Sequence, residues 1–96
     1  MNISDFQKLM KDIYFHRDSE RGVLPTFVWF IEEVGEFARA LRHRNKRILE
    51  GEVADIFAWL CSICNLLNID LEKAALTKYN NKCPQCGKNP CVCGNP

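Results

Sequence analysis

The sequence predicts a single all-α domain followed by a short cysteine-rich tail. Residues 1–82 contain one proline, Pro25, and no alternation of apolar and polar residues long enough for a strand. Residues 83–96 hold the other three prolines and four of the six cysteines. A chain of 96 residues with 47% hydrophobic side chains buries only a small core, so we expect oligomerisation or a bound metal to add stability.

The first helix is predicted from about residue 4 to about residue 16. Ser4 belongs to the residue types that cap helix N-termini. The polar sequence of residues 18–22, DSERG, predicts a connection after this helix. The apolar side chains of the first helix recur at the i, i+3 and i+4 spacing of one helix face. They are Phe6, Leu9, Met10, Ile13 and Tyr14.

Three further helices account for the rest of the domain. The second is predicted for about residues 24–42, with Pro25 in its first turn, where the missing N–H has no intrahelical partner to lose. A basic turn at 43–46 leads to the third helix at about 47–67, and a short fourth helix follows at about 71–80. The sequence therefore predicts a small helical bundle.

The third helix is apolar on nearly every side, yet it carries Glu52 and Asp55. At about 100° per residue, these carboxylates share one sector with Trp59 and Ile63. A helix this apolar belongs inside a bundle, where an unpaired carboxylate costs several kcal/mol unless it is protonated, paired or bound to a cation. The pattern therefore indicates that Glu52 and Asp55 have a function and do not simply belong to a solvated surface.

The second helix carries the complementary carboxylates, Glu33 and Glu36, one turn apart. If the connecting turn centres on Arg44 and the helices are antiparallel, Glu36 lies level with Glu52, and Glu33 lies level with Asp55. Four negative charges this close repel one another, and cations relieve the repulsion. Oxygen ligands on rigid helices favour a hard divalent ion, Mg²⁺ or Mn²⁺.

Two readings remain open for the residues around this cluster. On the second helix, the acidic residues could instead form a solvated polar stripe with ion pairs at i+3 and i+4. In the next layer, Trp29 and Trp59 are expected to stack on each other. They could stack on a nucleotide base or, as is more usual for large aromatic residues, pack in the core.

Residues 32–36, EEVGE, and residues 52–55, EVAD, resemble the EExxE and ExxD motifs of MazG-like proteins. These belong to the all-α nucleoside triphosphate pyrophosphohydrolases, which are related to dimeric dUTPases, dCTP pyrophosphatases and phosphoribosyl-ATP pyrophosphatase. The resemblance covers about residues 5–82. It implies a four-helix protomer in a homodimer or homotetramer, and Mg²⁺-dependent cleavage of an NTP or dNTP to NMP and pyrophosphate. House-cleaning of non-canonical nucleotides is one role that it suggests.

The resemblance also implies roles for individual residues. Glu32 matches the first glutamate of the motif, which orients water or a ligand. Lys78, Asn81 and Lys82 resemble the substrate-binding end of the family's last helix, although a solvated C-terminal turn is an equal reading. Trp59 is a further candidate contact to substrate, but through its position beside the acidic residues and not through the resemblance. The residues that match the family's metal ligands are Glu33, Glu36, Glu52 and Asp55.

The tail carries its four cysteines at two close spacings, C-x2-C and C-x-C. Because the tail has almost no apolar side chain besides Val92, only a cross-link could order it. Four thiolates predict a closed, structural Zn²⁺ site, and disulfides with three possible pairings are the alternative. The predicted zinc ligands are Cys83, Cys86, Cys91 and Cys93, whereas Cys61 and Cys64 are expected to be buried apolar residues.

Composition argues against several other functions. A net charge of +1 lacks the basic excess of proteins that hold nucleic acid by charge, so a nucleic-acid-binding or oligomerisation module without catalysis is the second choice. A di-iron carboxylate bundle would need Glu-x-x-His pairs that are absent here. Without an apolar run of about 20 residues or a signal-peptide pattern, we expect a cytoplasmic protein that does not enter a membrane.

Overall fold

The computed structural model describes residues 1–95, and within this range it contains helices and no strand. Pro96, the last residue of the predicted tail, lies outside the described residues. The prediction of an all-α, four-helix chain is confirmed. The helices are α1 (Ile3–Arg21), α2 (Val23–Ala40), α3 (Lys46–Leu67) and α4 (Leu71–Lys78).

Helix α1 differs from its prediction at both ends. Asn2, not Ser4, is the N-cap: its side chain accepts a hydrogen bond of 2.8 Å from the backbone N–H of Asp5. The Asp5 carboxylate in turn accepts one of 3.2 Å from the N–H of Asn2, which completes a capping box. The predicted C-terminal end was wrong, because the helix continues to Arg21 and ends only at Gly22, whose φ of 87° suits glycine.

A buried polar cluster explains why the polar sequence after residue 16 is helical. Asp18 is only 2% exposed, and its Oδ1 accepts a hydrogen bond of 2.9 Å from Arg21. The same Arg21 nitrogen donates to Thr26 Oγ1 at 3.2 Å, and that hydroxyl donates to the carbonyl of Gly22 at 2.7 Å. These bonds tie the end of α1 to the start of α2, a tertiary arrangement that favours helix over the predicted connection.

The remaining helix ends lie close to their predictions. Pro25 lies in the first turn of α2, as expected. Asn45 and Asp70 cap α3 and α4, because their side chains accept hydrogen bonds of 3.2 and 3.0 Å from the backbone N–H three residues on. Helix α4 ends at Lys78, two residues before the predicted end.

Helix α3 packs against both α1 and α2, while α4 packs against α1. The core that results is small: of the described apolar residues, the buried ones are Met10, Cys61 and Cys64. The predicted burial of both helical cysteines is therefore confirmed. Within the described range no helix alone is long and apolar enough to cross a membrane, and α3 with α4 meets those criteria only as a pair bent by 100°.

Candidate active site

The acidic motifs of α2 and α3 form one cluster. Glu33, Glu36 and Glu52 each offer a carboxylate oxygen, and these oxygens lie within 4.8 Å of one another. Glu33 and Glu52 are half-buried, and each has a buried Oε2 that accepts no hydrogen bond from the described residues. Unpartnered buried oxygens on neighbouring carboxylates are unfavourable by themselves, and they suit a bound cation.

The electrostatics of Glu33 agree with this geometry. Burial raises the pKa of Glu33, and the negative charges of Glu36, Asp55 and Glu52 raise it further. The cluster is thus a place where negative charge has accumulated without a neutralising side chain. Its all-oxygen ligands fit a hard divalent ion such as Mg²⁺ or Mn²⁺.

The other two acidic residues of the motifs lie at the margin of this cluster. Asp55 is exposed and acts on Glu33 through its charge, but it is not among the three residues whose oxygens lie within 4.8 Å of each other. Glu32 is exposed on α2. The structure therefore brings three of the four predicted metal ligands together closely and places the fourth beside them.

Beside the acidic cluster, the two tryptophans stack in the predicted layer. Their ring centroids are 6.1 Å apart and their planes differ by 14°. The Arg21 guanidinium lies 5.0 Å from the ring centre of Trp59, within the range of a cation–π contact. Trp29 is 49% exposed, so the core reading of this residue is wrong for the protomer.

The stacked tryptophans line a cavity of about 380 Å³, large enough for a small organic ligand. Asp55, at the margin of the acidic cluster, also lines it, so that the cavity lies next to the cluster. Aromatic walls next to a patch of carboxylates are a suitable surface for a ligand with a flat ring and a phosphate chain. Helix α1 contributes four polar or charged side chains to the wall of the cavity, and they are Tyr14, Arg17, Asp18 and Arg21.

Sequence reasoning missed the contribution of α1 to the cavity. The residues that it supplies have the i, i+3, i+4, i+7 spacing of one helix face. The sequence contains that pattern, but the connection predicted for residues 18–22 includes Asp18 and Arg21. A second missed contributor is Ser62 of α3, which is 4% exposed and lines the same cavity.

The predicted substrate contacts near the end of α4 lie elsewhere. Lys78 is the last residue of α4, and its Nζ lies 5.8 Å from the ring centre of Tyr79. Asn81 has a φ of 61°, and its carbonyl accepts a hydrogen bond of 2.8 Å from the Asn89 side chain. Among the residues described, neither these two nor Lys82 lines the cavity.

The four tail cysteines converge on one point. Their Sγ atoms all lie within 4.8 Å of one another, with 3.8 Å between Cys83 and Cys93 and 3.9 Å between Cys86 and Cys91. Four sulfurs at about 2.3 Å from a tetrahedral Zn²⁺ would be about 3.8 Å apart. The spacing thus fits a zinc tetrahedron, and all four thiols are free of disulfides.

The backbone of the tail supports this arrangement. The Gly87 N–H donates to the carbonyl of Cys83 at 2.8 Å and forms the turn between the first two cysteines. Backbone N–H groups of Val92 and Lys88 lower the pKa of Cys86 to about 6. Hydrogen bonds with neighbouring sulfurs raise the pKa of Cys93 to about 11. Peptide dipoles directed at a sulfur favour the thiolate form, which is the form that binds metal.

Comparison with known proteins identifies the acidic segment. The family model described as "MazG nucleotide pyrophosphohydrolase domain" matches residues 23–87. The matched region contains both acidic motifs, all of α2, α3 and α4, and the first cysteine pair of the tail. No curated protein matches the chain.

Proposed function

Because the chain belongs to the MazG nucleotide pyrophosphohydrolase family, we propose that it cleaves an NTP or dNTP to NMP and pyrophosphate with Mg²⁺ or Mn²⁺. The observation that carries the proposal is the position of the acidic cluster next to an aromatic cavity, with Asp55 beside the cluster and in the wall of the cavity. A nucleotide needs both parts, since its phosphates require cations and its base requires a flat apolar surface.

Four carboxylates would hold the metal, and Glu33, Glu36 and Glu52 are the closest of them. Asp55 would complete the set from its position one turn beyond Glu52 on α3. A bound divalent ion would neutralise phosphate charge and make a water molecule more acidic. Glu32, exposed on the same helix as Glu33, would orient water or the phosphate chain.

The reaction that we propose is hydrolysis at the α-phosphorus. The oxygen of a water molecule bonds to that phosphorus, the bond to the bridging oxygen breaks, and pyrophosphate leaves. The proton released by the water passes to a carboxylate or to solvent. Positioning and charge neutralisation carry most of the catalysis in reactions of this type, and the clustered carboxylates on two helices can provide both.

The base would lie in the cavity against Trp59, one turn along α3 from Asp55. Lys78, Asn81 and Lys82 are proposed as phosphate or sugar contacts on the strength of the family resemblance alone. Because they do not line the cavity proposed for the base, they would contact the nucleotide outside it, in the same subunit or in a neighbouring one.

We also propose that the tail binds one structural Zn²⁺ through Cys83, Cys86, Cys91 and Cys93. The sulfur separations of 3.8 and 3.9 Å support it. Since four thiolates leave no open coordination position, the zinc would stabilise the tail and take no part in hydrolysis.

The proposed assembly is a homo-oligomer. One face of α2 presents a row of exposed apolar side chains, and this face is opposite to Glu33 on the helix. A second copy covering the row would add the burial that the small core lacks. The exposed fractions of four of these side chains are 77% for Leu24, 48% for Phe27, 59% for Val28 and 49% for Ile31.

Replacing Phe27 and Ile31 with Glu is therefore expected to convert the oligomer to a monomer, because the two charges would be buried against apolar surface. Light scattering coupled to gel filtration measures the mass. A wild-type mass of one chain, 11.1 kDa, would contradict the proposed assembly. Leu76, 62% exposed on α4 outside this row, offers a control, and Leu76→Glu should keep the wild-type mass.

A substrate screen tests the proposed reaction directly. Canonical and oxidised NTPs and dNTPs are incubated with the protein and Mg²⁺, and the products are separated by chromatography. We expect equal amounts of NMP and pyrophosphate from the preferred substrate, and no turnover after EDTA treatment. Release of orthophosphate with NDP, or no product from any nucleotide, would exclude the proposed activity.

A further inference from the structure

Asp18 is a buried carboxylate with an unused acceptor. It is 2% exposed and lines the cavity beside the tryptophans. Its Oδ1 accepts the hydrogen bond from Arg21 at 2.9 Å, whereas Oδ2 accepts none from the residues described. Leaving a buried carboxylate oxygen unpaired is costly, and the hydrogen bond that joins Asp18 to Arg21 uses Oδ1 alone.

The surroundings of Asp18 restrict what could satisfy this oxygen. Oδ2 is shielded from bulk water and accepts no hydrogen bond from the residues described, so a ligand in the cavity can donate to it once a lining side chain has moved aside. Tyr14 and Trp29 are 44% and 49% exposed, so these two walls of the cavity can move aside. Arg21 is already bonded to Asp18 and Thr26 and lies over Trp59, so it holds the carboxylate in a fixed position.

We propose that Asp18 makes the cavity selective for nucleotides whose base carries an exocyclic amino group. The inference rests on the proposed function, since it assumes that the base enters this cavity. Once Trp29 has moved aside and the ring lies against the indole of Trp59, an edge of the base faces the α1 wall that contains Asp18. An amino group there donates to Oδ2, while a carbonyl oxygen in the same place is repelled by the carboxylate.

A base with an amino group and a base with a keto group differ in how they interact with Oδ2 of Asp18. An amino group gains a charge-assisted hydrogen bond to an oxygen that is shielded from solvent. A keto base leaves Oδ2 unpaired and brings a second acceptor against it. Sites built to satisfy a hydrogen bond reject analogues that lack the partner strongly, so we expect about a 100-fold preference between matched substrates.

Matched nucleotide pairs test this selectivity. dCTP and dUTP differ by an amino and a keto group, as do ATP and ITP, and kcat/KM is measured for each with the wild-type protein and Mg²⁺. We expect the amino member to be preferred in at least one pair. Equal kcat/KM within both pairs, or a preference for both keto members, would overturn the assignment.

The variant Asp18→Asn sharpens the test. Its amide oxygen can keep the bond to Arg21, which places an NH₂ group where Oδ2 was, and so the preference should disappear or reverse toward the keto base. Glu20→Gln is the matched control, because Glu20 lies on the same helix but is exposed and outside the cavity. An equal loss of kcat/KM for all four substrates in Asp18→Asn would show a structural role and overturn the proposal.

Failure of the proposed hydrolysis remains distinguishable from failure of this inference. Quenching of tryptophan fluorescence by CMP and by UMP reports base binding without turnover, because Trp29 and Trp59 line the cavity. Tighter binding of CMP in the wild type, lost in Asp18→Asn, supports the selectivity even if no triphosphate is hydrolysed. Equal quenching by both nucleotides counts against it.

Discussion

The variants Glu36→Gln and Asp55→Asn should hydrolyse the preferred nucleotide at least about 1,000-fold more slowly than the wild type. Each removes one carboxylate from the proposed metal site, and metal-based charge stabilisation contributes several kcal/mol, at about 1.4 kcal/mol for each tenfold change in rate. The measurement is kcat with Mg²⁺ at saturating nucleotide. Near-normal turnover in either variant would refute the role of that residue.

The melting temperature, measured with and without Mg²⁺, distinguishes an effect of these variants on folding from an effect on metal binding. Removing a charge from a cluster in which Glu33 already has a raised pKa relieves repulsion, so the metal-free variants should melt at or above the wild-type temperature. Added Mg²⁺ should then raise the melting temperature of the wild type more than that of the variants. Glu50→Gln is the control, since Glu50 is exposed on α3 and outside the cluster.

Replacing one tail cysteine with serine should weaken zinc binding by about 100- to 1,000-fold. A four-thiolate site is worth about 10–16 kcal/mol, so losing one ligand removes about a quarter of it. Cys86→Ser is the preferred variant because its thiol is the one whose pKa falls to about 6. Zinc content after dialysis against a competing chelator measures the loss, and nucleotide hydrolysis is expected to persist.

The chain contains its own control for this experiment. Cys64 is a buried thiol of α3, 6% exposed and outside the tail cluster, and Cys64→Ala should retain one zinc per chain. An absence of zinc from the reduced, purified wild type would remove the zinc proposal. Mass spectrometry that finds two intact disulfides in the tail would favour the alternative that the sequence left open.

The spacing of residues along the chain was sufficient to predict most of the candidate site. The i+3 intervals within the two acidic motifs, and their equal distances from the turn at Arg44, predicted that Glu36 and Glu52 would be neighbours. Stacking of Trp29 on Trp59 followed from the same register and is confirmed. These predictions succeed because a helix has a fixed rise and rotation per residue.

Helix α1 shows where local reasoning failed. Its last turn has the composition of a loop, and its helical state is supported by hydrogen bonds from Arg21 to Asp18 and to Thr26, and from Thr26 to the carbonyl of Gly22. The bond from Arg21 to Thr26 joins two helices, so the pattern of one segment does not reveal it. Asp18 and Arg21, two residues of the α1 wall of the cavity, lie in the segment that the sequence predicts to be a solvated connection.

The sequence by itself determined the helical class, the pairing of the acidic motifs and the grouping of the tail cysteines, since each depends on periodicity or on spacing over a few residues. Only the tertiary structure decided which carboxylates are buried, that Trp29 is half exposed at a cavity, and that Asp18 keeps a free acceptor beside it. Burial depends on how three helices pack together, and that packing is a property of the whole fold.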